Sequence, residues 1–252
     1  MSFLILKKEM KSFFQNPLTF LIAGVIALIA GWMFFNLLVN FANSIQGMDV
    51  DQRYNYDFLN AVIIKFFGNL NFLLLFLAPI LSMKVIAEEL NSGTINLLYT
   101  SKVTYFEILM NKYLSLLLQG IFFISFSLSY FFILGKADSL DYGIILTGYL
   151  GLILNFSLYL SIGLFASSLS KNLMISALIC FCIIMFIWSL TLFSQMISNY
   201  MISTIVKYFS VIHHFEAITK GRIDLSTLCF YLSGIFLFTY LSSKSLKIRA
   251  QV

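Results

Sequence analysis

Residues 66–98 read FFGNLNFLLLFLAPILSMKVIAEELNSGTINLL, and this stretch decides the fold. Residues 66–86 are predominantly apolar, and as a helix they are long enough to cross a bilayer, which needs about 20 residues. The polar group that follows contains two adjacent carboxylates, Glu88 and Glu89, and a turn-forming Asn-Ser-Gly sequence. These groups are costly to bury in lipid. They must therefore face water, or another protein, at the end of a membrane span.

The composition extends this interpretation to the whole chain. Hydrophobic residues make up 60% of the sequence and charged residues only 11%, whereas about a quarter of the residues of a soluble domain are charged. Six apolar runs are long enough to span a membrane: residues 18–38, 66–86, 108–134, 142–165, 173–193 and 225–241. A spanning segment must satisfy its own backbone hydrogen bonds, so we expect helices. The predicted fold is an all-α integral membrane bundle of six transmembrane helices, forming one domain over residues 1–252.

The distribution of basic residues predicts the orientation in the membrane. With six spans, ten of the 16 Lys and Arg residues fall on the side that holds both termini, and six fall on the other side. Basic residues are enriched in cytoplasmic loops. We therefore expect a multi-pass protein with both termini in the cytoplasm, and the net charge of +5 then reflects membrane topology. Nucleic acid is not an expected partner.

Residues 1–17 have an amphipathic pattern before the first span. Apolar residues recur at helical spacing on one side and lysines on another: Leu6, Met10 and Phe13, against Lys7, Lys8 and Lys11. This pattern is typical of a helix that lies in the membrane interface with its lysines toward anionic headgroups. A plain basic flank of the first span would explain the same lysines, and this alternative stays open.

Residues 88–103 form the densest polar segment between two spans. Asn91 or Ser92 can cap a short helix that starts near Thr94, and Ile95 and Leu98 would give that helix an apolar side. An apolar stripe at the membrane surface needs a partner or lipid to cover it. The spans themselves carry almost no charge, whereas ion-coupled transporters usually need a buried ionisable residue. The segment is therefore predicted to contact a partner that supplies energy, although a simple amphipathic connector is the alternative.

Residues 194–224 are long for a connection between two spans, and much of their sequence is apolar. We expect short helices here that lie on the outer leaflet or dip into it. The sequence His213-His214-Phe215-Glu216 follows a metal-binding pattern, but adjacent histidines point about 100° apart on a helix. No metal site and no catalytic residue are predicted.

Three groups of residues share one resemblance. The first is Glu88-Glu89, Gly93-Thr94, Leu97-Leu98 and Thr100-Ser101, followed by Lys112-Tyr113. The second is residues 163–172, and the third is His214-Phe215-Glu216 with Gly221 and Asp224. The first group resembles a pattern of the ABC type-2 export permeases, and the second is similar to the second cytoplasmic turn of that family. The third resembles the branch that contains the gliding-motility permease GldF and the NosY-type permeases.

The resemblance implies a permease subunit in the bacterial cytoplasmic (inner) membrane. It implies that residues 1–17 are an elbow helix, and that residues 88–103 hold a coupling helix that docks on a cytoplasmic ABC ATPase. It also implies a second permease subunit, identical or different, and allows an outer-side accessory protein and bound membrane lipid. ATP and magnesium would belong to the ATPase, since this chain has no Gly-x-x-x-x-Gly-Lys-Ser/Thr loop. Lys102 stands where the family often has proline.

Two other functions fit parts of the sequence. Adjacent glutamates at a membrane boundary resemble the Glu-Glu-x-x-x-Arg motif of CAAX-type intramembrane proteases, but Gly93 occupies the arginine position. A membrane scaffold or assembly factor that transports nothing would also carry six spans and a polar connecting segment. Loss of ATPase association after substitution of Glu88, Glu89 or Gly93 would distinguish a permease from either alternative.

Overall fold

The computed structural model of the chain describes residues 2–46, 58–92, 105–134 and 141–249. Within these ranges nearly every residue is helical and no strand occurs. A π-helical stretch, Leu59–Ile64, leads into α3. The α-helices of the described ranges are α1 Ser2–Gln15, α2 Pro17–Gln46, α3 Lys65–Ser92, α4 Tyr105–Ser125, α5 Leu128–Leu134, α6 Tyr142–Leu169, α7 Leu173–Met196, α8 Tyr200–Tyr208, α9 Val211–Thr219 and α10 Leu225–Arg249.

Six helical segments are long and apolar enough to cross a membrane, which confirms the predicted number and order of spans. They are α2, α3 with its π-helical start, α4 together with α5, α6, α7 and α10. Several run beyond the apolar sequence that predicted them. The α2 helix, for example, continues eight residues past Leu38 to Gln46. In this extension the hydroxyl of Ser44 is satisfied within its own helix, by a hydrogen bond of 2.8 Å to the carbonyl of Asn40.

The α6 helix lies at the centre of the bundle. It packs against α3, α4, α7, α9 and α10, and 78% of its most apolar window is buried. The corresponding windows of α2, α7 and α10 are 22%, 17% and 22% buried. These three helices therefore present broad apolar faces to lipid or to another protein.

Glycines allow the central helices to approach closely. A Cβ atom added to Gly163 would lie 2.4 Å from Cβ of Ser82 on α3, and one added to Gly148 would lie 2.4 Å from the ring of Phe67. At Gly163 the blocking atom is a Cβ that is fixed to the backbone, so a side chain there would force α3 and α6 apart. Small residues at these positions thus permit the close helix contact.

The third span is interrupted, although its sequence predicted a continuous helix over residues 108–134. The α4 helix ends at Ser125 and α5 begins at Leu128. Around the break, the hydroxyl groups of Ser125, Ser127 and Ser129 each donate to a carbonyl group three residues earlier. The hydroxyl of Ser127 also bonds that of Tyr149 on α6. These bonds compete with the regular α-helical ladder and explain the interruption.

The contacts of α6 define the two ends of the bundle. Ser167 contacts the backbone of Ile86 and Ala87 near the C-terminal end of α3. We call this the Glu89 end. Gly151 lies against Ile218 of α9, at what we call the His214 end. Because Gly151 and Ser167 are sixteen residues apart in one helix, the two ends are separated by about 24 Å.

Candidate functional site

A buried lysine organises the Glu89 end. The side chain of Lys112 on α4 is only 4% exposed. Its Nζ atom donates hydrogen bonds to the carbonyl oxygen of Val85, at 2.8 Å, and to Oε1 of Glu89, at 2.7 Å. Oε1 of Glu9 on α1 lies 3.7 Å away. One ammonium group thus connects α1, α3 and α4, and two carboxylates compensate its charge.

The two adjacent glutamates of α3 face different surroundings. The side chain of Glu89 is 25% exposed and turned toward Lys112, whereas Glu88 is exposed. Successive residues of an α-helix point about 100° apart, so Glu88 cannot point into the bundle in the same direction as Glu89. Both were predicted to lie at the start of a polar connecting segment. They instead belong to the last turns of α3, which continues to Ser92.

A serine of α6 bonds the backbone of α3 just before these glutamates. The hydroxyl of Ser167 accepts hydrogen bonds from the amide groups of Ile86, at 3.1 Å, and Ala87, at 3.0 Å, and donates to the carbonyl of Met83, at 3.1 Å. A side chain inserted at this point replaces part of the helical ladder. The end of α3 is therefore attached to the central helix as well as to α4.

The turn after α6 is held by the C-terminal helix. Ser245 of α10 donates to the carbonyl of Ser168 at 3.2 Å, and Arg249 donates to that of Leu169. These carbonyl groups are the ones that a helix leaves unpaired at its C-terminal end. Asn172 then caps α7, its side chain accepting from the amide of Met174 at 2.9 Å. Residues 163–172, which resemble a cytoplasmic turn, form the α6–α7 corner at the Glu89 end.

The predicted elbow segment forms a helix joined closely to α2. Phe13 packs edge-on against Phe122 and Phe123 of α4, with ring centroids 5.9 and 5.8 Å apart. The hydroxyl of Thr19 donates to the carbonyl of Phe13 at 2.8 Å, and Asn16 caps α2 through the amide of Leu18. The three lysines on the opposite face are exposed: Lys7, Lys8 and Lys11.

Four of the predicted coupling residues, Gly93, Thr94, Leu97 and Leu98, lie outside the described residues. The helices on either side of them, α3 and α4, are fixed to each other by the Lys112–Glu89 bond at the Glu89 end. The connection between these helices therefore starts and finishes at that end of the bundle.

A histidine organises the opposite end. His214 is buried on α9, and its ring stacks on Phe230 of α10 at 4.2 Å. Nε2 lies 2.8 Å from the carbonyl oxygen of Tyr208, and Nδ1 lies 3.1 Å from the hydroxyl of Thr227. Only a protonated Nε2 can bond a carbonyl, so the neutral ring donates to Tyr208 and accepts from Thr227. Burial lowers the pKa of His214, and the bond to Tyr208 opposes this in part.

The other residues of the outer-side motif shape the ends of α9 and α10. Phe215 is buried beside His214, whereas Glu216 and Asp224 are exposed. Gly221 has a φ of 81°. The amide of Gly221 bonds the carbonyl of Ile218, and the next amide bonds that of Ala217, which completes a helix C-cap suited to glycine. The carbonyl of Asp224 accepts from the first turn of α10.

Both nitrogens of the His214 ring are engaged within the protein, so this ring has no nitrogen available for a metal. In the described ranges, no group of three or more His, Cys, Asp or Glu side chains is placed to hold a metal ion.

The contacts of Glu9, Lys112 and Ser167 at the end of α3 were not predicted from the sequence. Two features of the sequence could have indicated that the charged side chains of Glu9 and Lys112 have partners. Glu9 shares the face of α1 that carries Leu6, Met10 and Phe13, and Lys112 falls inside a predicted span. A charge in either position needs a partner of opposite sign. Ser167 gave no such signal, because serine is common within the spans.

Polar side chains also join helices in the interior of the bundle. Asn155 of α6 is one of them. Its amide donates to the side-chain oxygen of Asn71 on α3 and to the hydroxyl of Tyr159, the latter at 3.3 Å. All three residues are buried.

Comparison with protein families agrees with this architecture. The family described as "ABC-2 family transporter protein" matches residues 1–244. The chain belongs to the ABC-2 transporter family. A comparison with curated proteins finds no match. This ABC-2 protein is accordingly a multi-pass membrane permease subunit, and membership of the family implies association with a cytoplasmic ATPase subunit.

Proposed function

We propose that this ABC-2 permease couples ATP hydrolysis by a separate cytoplasmic ATPase to export, or to mechanical transmission across the membrane. The observation that carries the proposal is the bond of Lys112 to Glu89, with Glu9 nearby. It braces the final turns of α3, from which the predicted coupling segment departs. Force applied to that segment reaches α1 and α4 through one ammonium group.

The exposed Glu88 is the residue that we assign to the ATPase contact at this end. Glu89 supports the contact from within the permease, since its carboxylate is occupied by Lys112. Ser167 carries the same displacement to α6, the most buried span. We place Gly93, Thr94, Leu97 and Leu98 in the docking surface itself, following the family resemblance.

The charge distribution supports the proposed location. We place the Glu89 end in the cytoplasm of a bacterial cell, with the protein in the cytoplasmic (inner) membrane. The exposed lysines of α1 and the C-terminal Lys247 and Arg249 of α10 lie at this end. Basic residues favour the cytoplasmic side. Lys7, Lys8 and Lys11 would then face the headgroups of the inner leaflet.

Further partners follow from the exposed apolar faces. We assign the exposed face of α7 to a second permease subunit, identical or different, because this helix is scarcely buried in one chain. The exposed α8 helix would serve an outer-side accessory protein, as the resemblance to the GldF and NosY-type branch suggests. ATP and magnesium would be bound by the ATPase.

A protease function is disfavoured by the placement of the candidate residues. Glu89 is paired with Lys112, and both histidines of the chain lie on α9 at the other end of the bundle, about 24 Å away along α6. Glutamate and histidine cannot act on one peptide bond across that distance. A membrane scaffold without transport is separated from a permease by the following experiment.

The experiment is affinity purification of the tagged chain from its native membranes, followed by measurement of ATP hydrolysis. We expect an ABC ATPase to co-elute with the unmodified chain. Glu88→Lys should reduce its recovery several-fold while the amount of inserted permease stays constant. Glu216→Lys is the matched control, because Glu216 is an exposed glutamate at the opposite end. Equal ATPase recovery and equal turnover with Glu88→Lys would contradict the proposed contact and favour a scaffold.

A further inference from the structure

An apolar groove runs along α2 where this helix separates from the rest of the bundle. It has a volume of about 360 Å³ and is bordered by α2, α3, α4 and α6. On α2 it extends from Leu21 to Ala30, a length of about 14 Å at 1.5 Å per residue. Its shape is therefore elongated along the direction of the span.

The groove offers no free polar group among its lining residues. Every lining side chain is apolar except that of Ser127, at the break in the third span. The Ser127 hydroxyl already bonds the carbonyl of Ile124, at 2.7 Å, and the hydroxyl of Tyr149, at 2.9 Å. A water molecule needs two or more polar partners to be held in a cavity. Neither water nor a polar solute is suited to this groove.

The groove is open to the surroundings of the bundle. Val25 of α2 and Ile80 of α3 line it and are 47% and 46% exposed. An apolar chain could enter between them from the surrounding lipid, without passing through water or through a polar headgroup layer.

A basic hollow lies at the N-terminal end of α2. Lys8 and Lys11 line it, together with Ser12, Gln15 and Asn16 at the joint between α1 and α2. Asn16 precedes the start of the groove at Leu21 by five residues, or about 7 Å along the helix. The chain thus places positive charge beside one end of an apolar groove. This arrangement is complementary to an anionic lipid, in which a negative headgroup is attached to apolar chains.

We propose that the groove binds one acyl chain of an anionic phospholipid from the leaflet next to α1, with the phosphate group at Lys8 and Lys11. A bilayer supplies this ligand at high concentration, and van der Waals packing against the groove walls, together with attraction between the phosphate and the lysines, favours its retention. The lipid would fill the space between α2 and α3. This site is independent of the ATPase contact proposed above.

The test uses the full chain, with any partners that co-purify, in vesicles of phosphatidylethanolamine and phosphatidylglycerol. The probe is phosphatidylglycerol with a photoactivatable diazirine in the middle of one acyl chain. We expect adducts to concentrate on the groove-lining residues of α2 and α3, several-fold above those on the exposed face of α10, for example at Leu232 and Phe236. Equal labelling of the groove and of α10, or exclusion of the probe from the groove by a second copy of the chain, would overturn the site.

Two groove-filling substitutions and a matched control sharpen the test. Val25→Trp and Ile80→Trp place an indole in the groove from opposite walls, and each should reduce groove adducts several-fold. Leu28→Trp adds the same bulk at a position of α2 that is 76% exposed and does not line the groove, so labelling should not change. If either filling variant inserts and its groove is labelled as strongly as that of Leu28→Trp, the proposal is overturned.

Binding of the lipid phosphate to Lys8 and Lys11 is tested by comparing an anionic probe with a zwitterionic one. Replacing Lys8 and Lys11 by Gln should reduce labelling by the phosphatidylglycerol probe relative to a phosphatidylcholine probe with the same acyl chain. Lys7→Gln removes one charge from the same helix but none from the hollow, and it should leave the ratio of the two probes unchanged. A ratio that is insensitive to Lys8 and Lys11 would overturn the anionic assignment.

Discussion

Lys112 Nζ lies 2.7 Å from Oε1 of Glu89, and the side chain of Lys112 is only 4% exposed to solvent. A buried ammonium group is stable only with good partners. It has three here, because Val85 contributes a carbonyl and Glu9 a second carboxylate. This arrangement fixes the end of α3 independently of the segment that follows.

Lys112→Met should destabilise the protein, because it leaves Glu89 without its donor while preserving most of the buried volume. A hydrogen bond to a charged group contributes about 1.5–3 kcal/mol. The expected result is a lower temperature of thermal unfolding in detergent or lipid. Lys84→Met, at an exposed position of α3, should have little effect. Adding Glu89→Gln to Lys112→Met should cost less than the sum of the two single changes, because the carboxylate left without a donor is then neutral, and strict additivity would contradict the pairing.

Ser167→Ala should also lower the unfolding temperature, because it removes the group that bonds two amides and one carbonyl of α3. Leaving buried backbone groups unsatisfied costs about 1–3 kcal/mol. Ser161→Ala is the control. Ser161 is equally buried, but its hydroxyl bonds only the carbonyl of Leu158 in its own helix. Equal effects of the two substitutions would show that the bonds to α3 contribute nothing.

Gly163→Ala should force α3 and α6 apart. The new Cβ would lie 2.4 Å from Cβ of Ser82, and since that atom is fixed to the backbone, no side-chain rotation relieves the contact. Overpacking of this kind costs about 1–3 kcal/mol. Gly68→Ala, where a Cβ meets nothing within 4 Å, should not destabilise. Adding Ser82→Gly to Gly163→Ala should restore stability, and failure to do so would place the cause elsewhere.

Stability should fall on acidification because of His214. Burial lowers its pKa in the folded protein, whereas the unfolded chain has the ordinary value of about 6.5. The unfolded state therefore binds the proton more readily, so the contribution is complete above that value and is lost as pH falls below it. Burial, and then the nearby charge of Lys207, lower the pKa of His213 in the same direction.

The measurement is the unfolding temperature at pH 7.5 and at pH 5.5. Only two histidines are present, so replacing both by Gln should reduce the difference between the two temperatures. His214→Gln alone should remove part of it. An undiminished difference in the double variant would assign the pH dependence to other groups.

Local sequence was sufficient for the spans but not for their ends. Apolar runs of sufficient length give the number and order of the six spans, since lipid leaves the backbone little choice. Their ends include polar residues, such as Ser44, whose side chains bond their own helix. Hydropathy alone therefore truncated α2. The break after Ser125 was missed for a related reason. The serines at 125, 127 and 129 alternate with apolar residues, so the mean hydropathy of the segment stays high enough for a continuous span.

The candidate site was predictable in position and not in geometry. The polar stretch after residue 86 indicated where the apolar part of α3 ends. The different surroundings of Glu88 and Glu89 could not be inferred, because the groups that distinguish them are distant in sequence. Lys112 lies 23 residues from Glu89, and Glu9 lies on a separate helix. Only the packing of α1, α3 and α4 brings them together.

The most direct test of the coupling proposal is site-specific photo-crosslinking in native membranes. A photoreactive amino acid at position 88 should form an adduct with an ABC ATPase, and the same residue at position 216, in place of the exposed Glu216, should not. Transport or force transmission driven through the Glu89 end requires this result. An ATPase adduct at position 216, or none at position 88 while the ATPase co-purifies with the chain, would contradict the account.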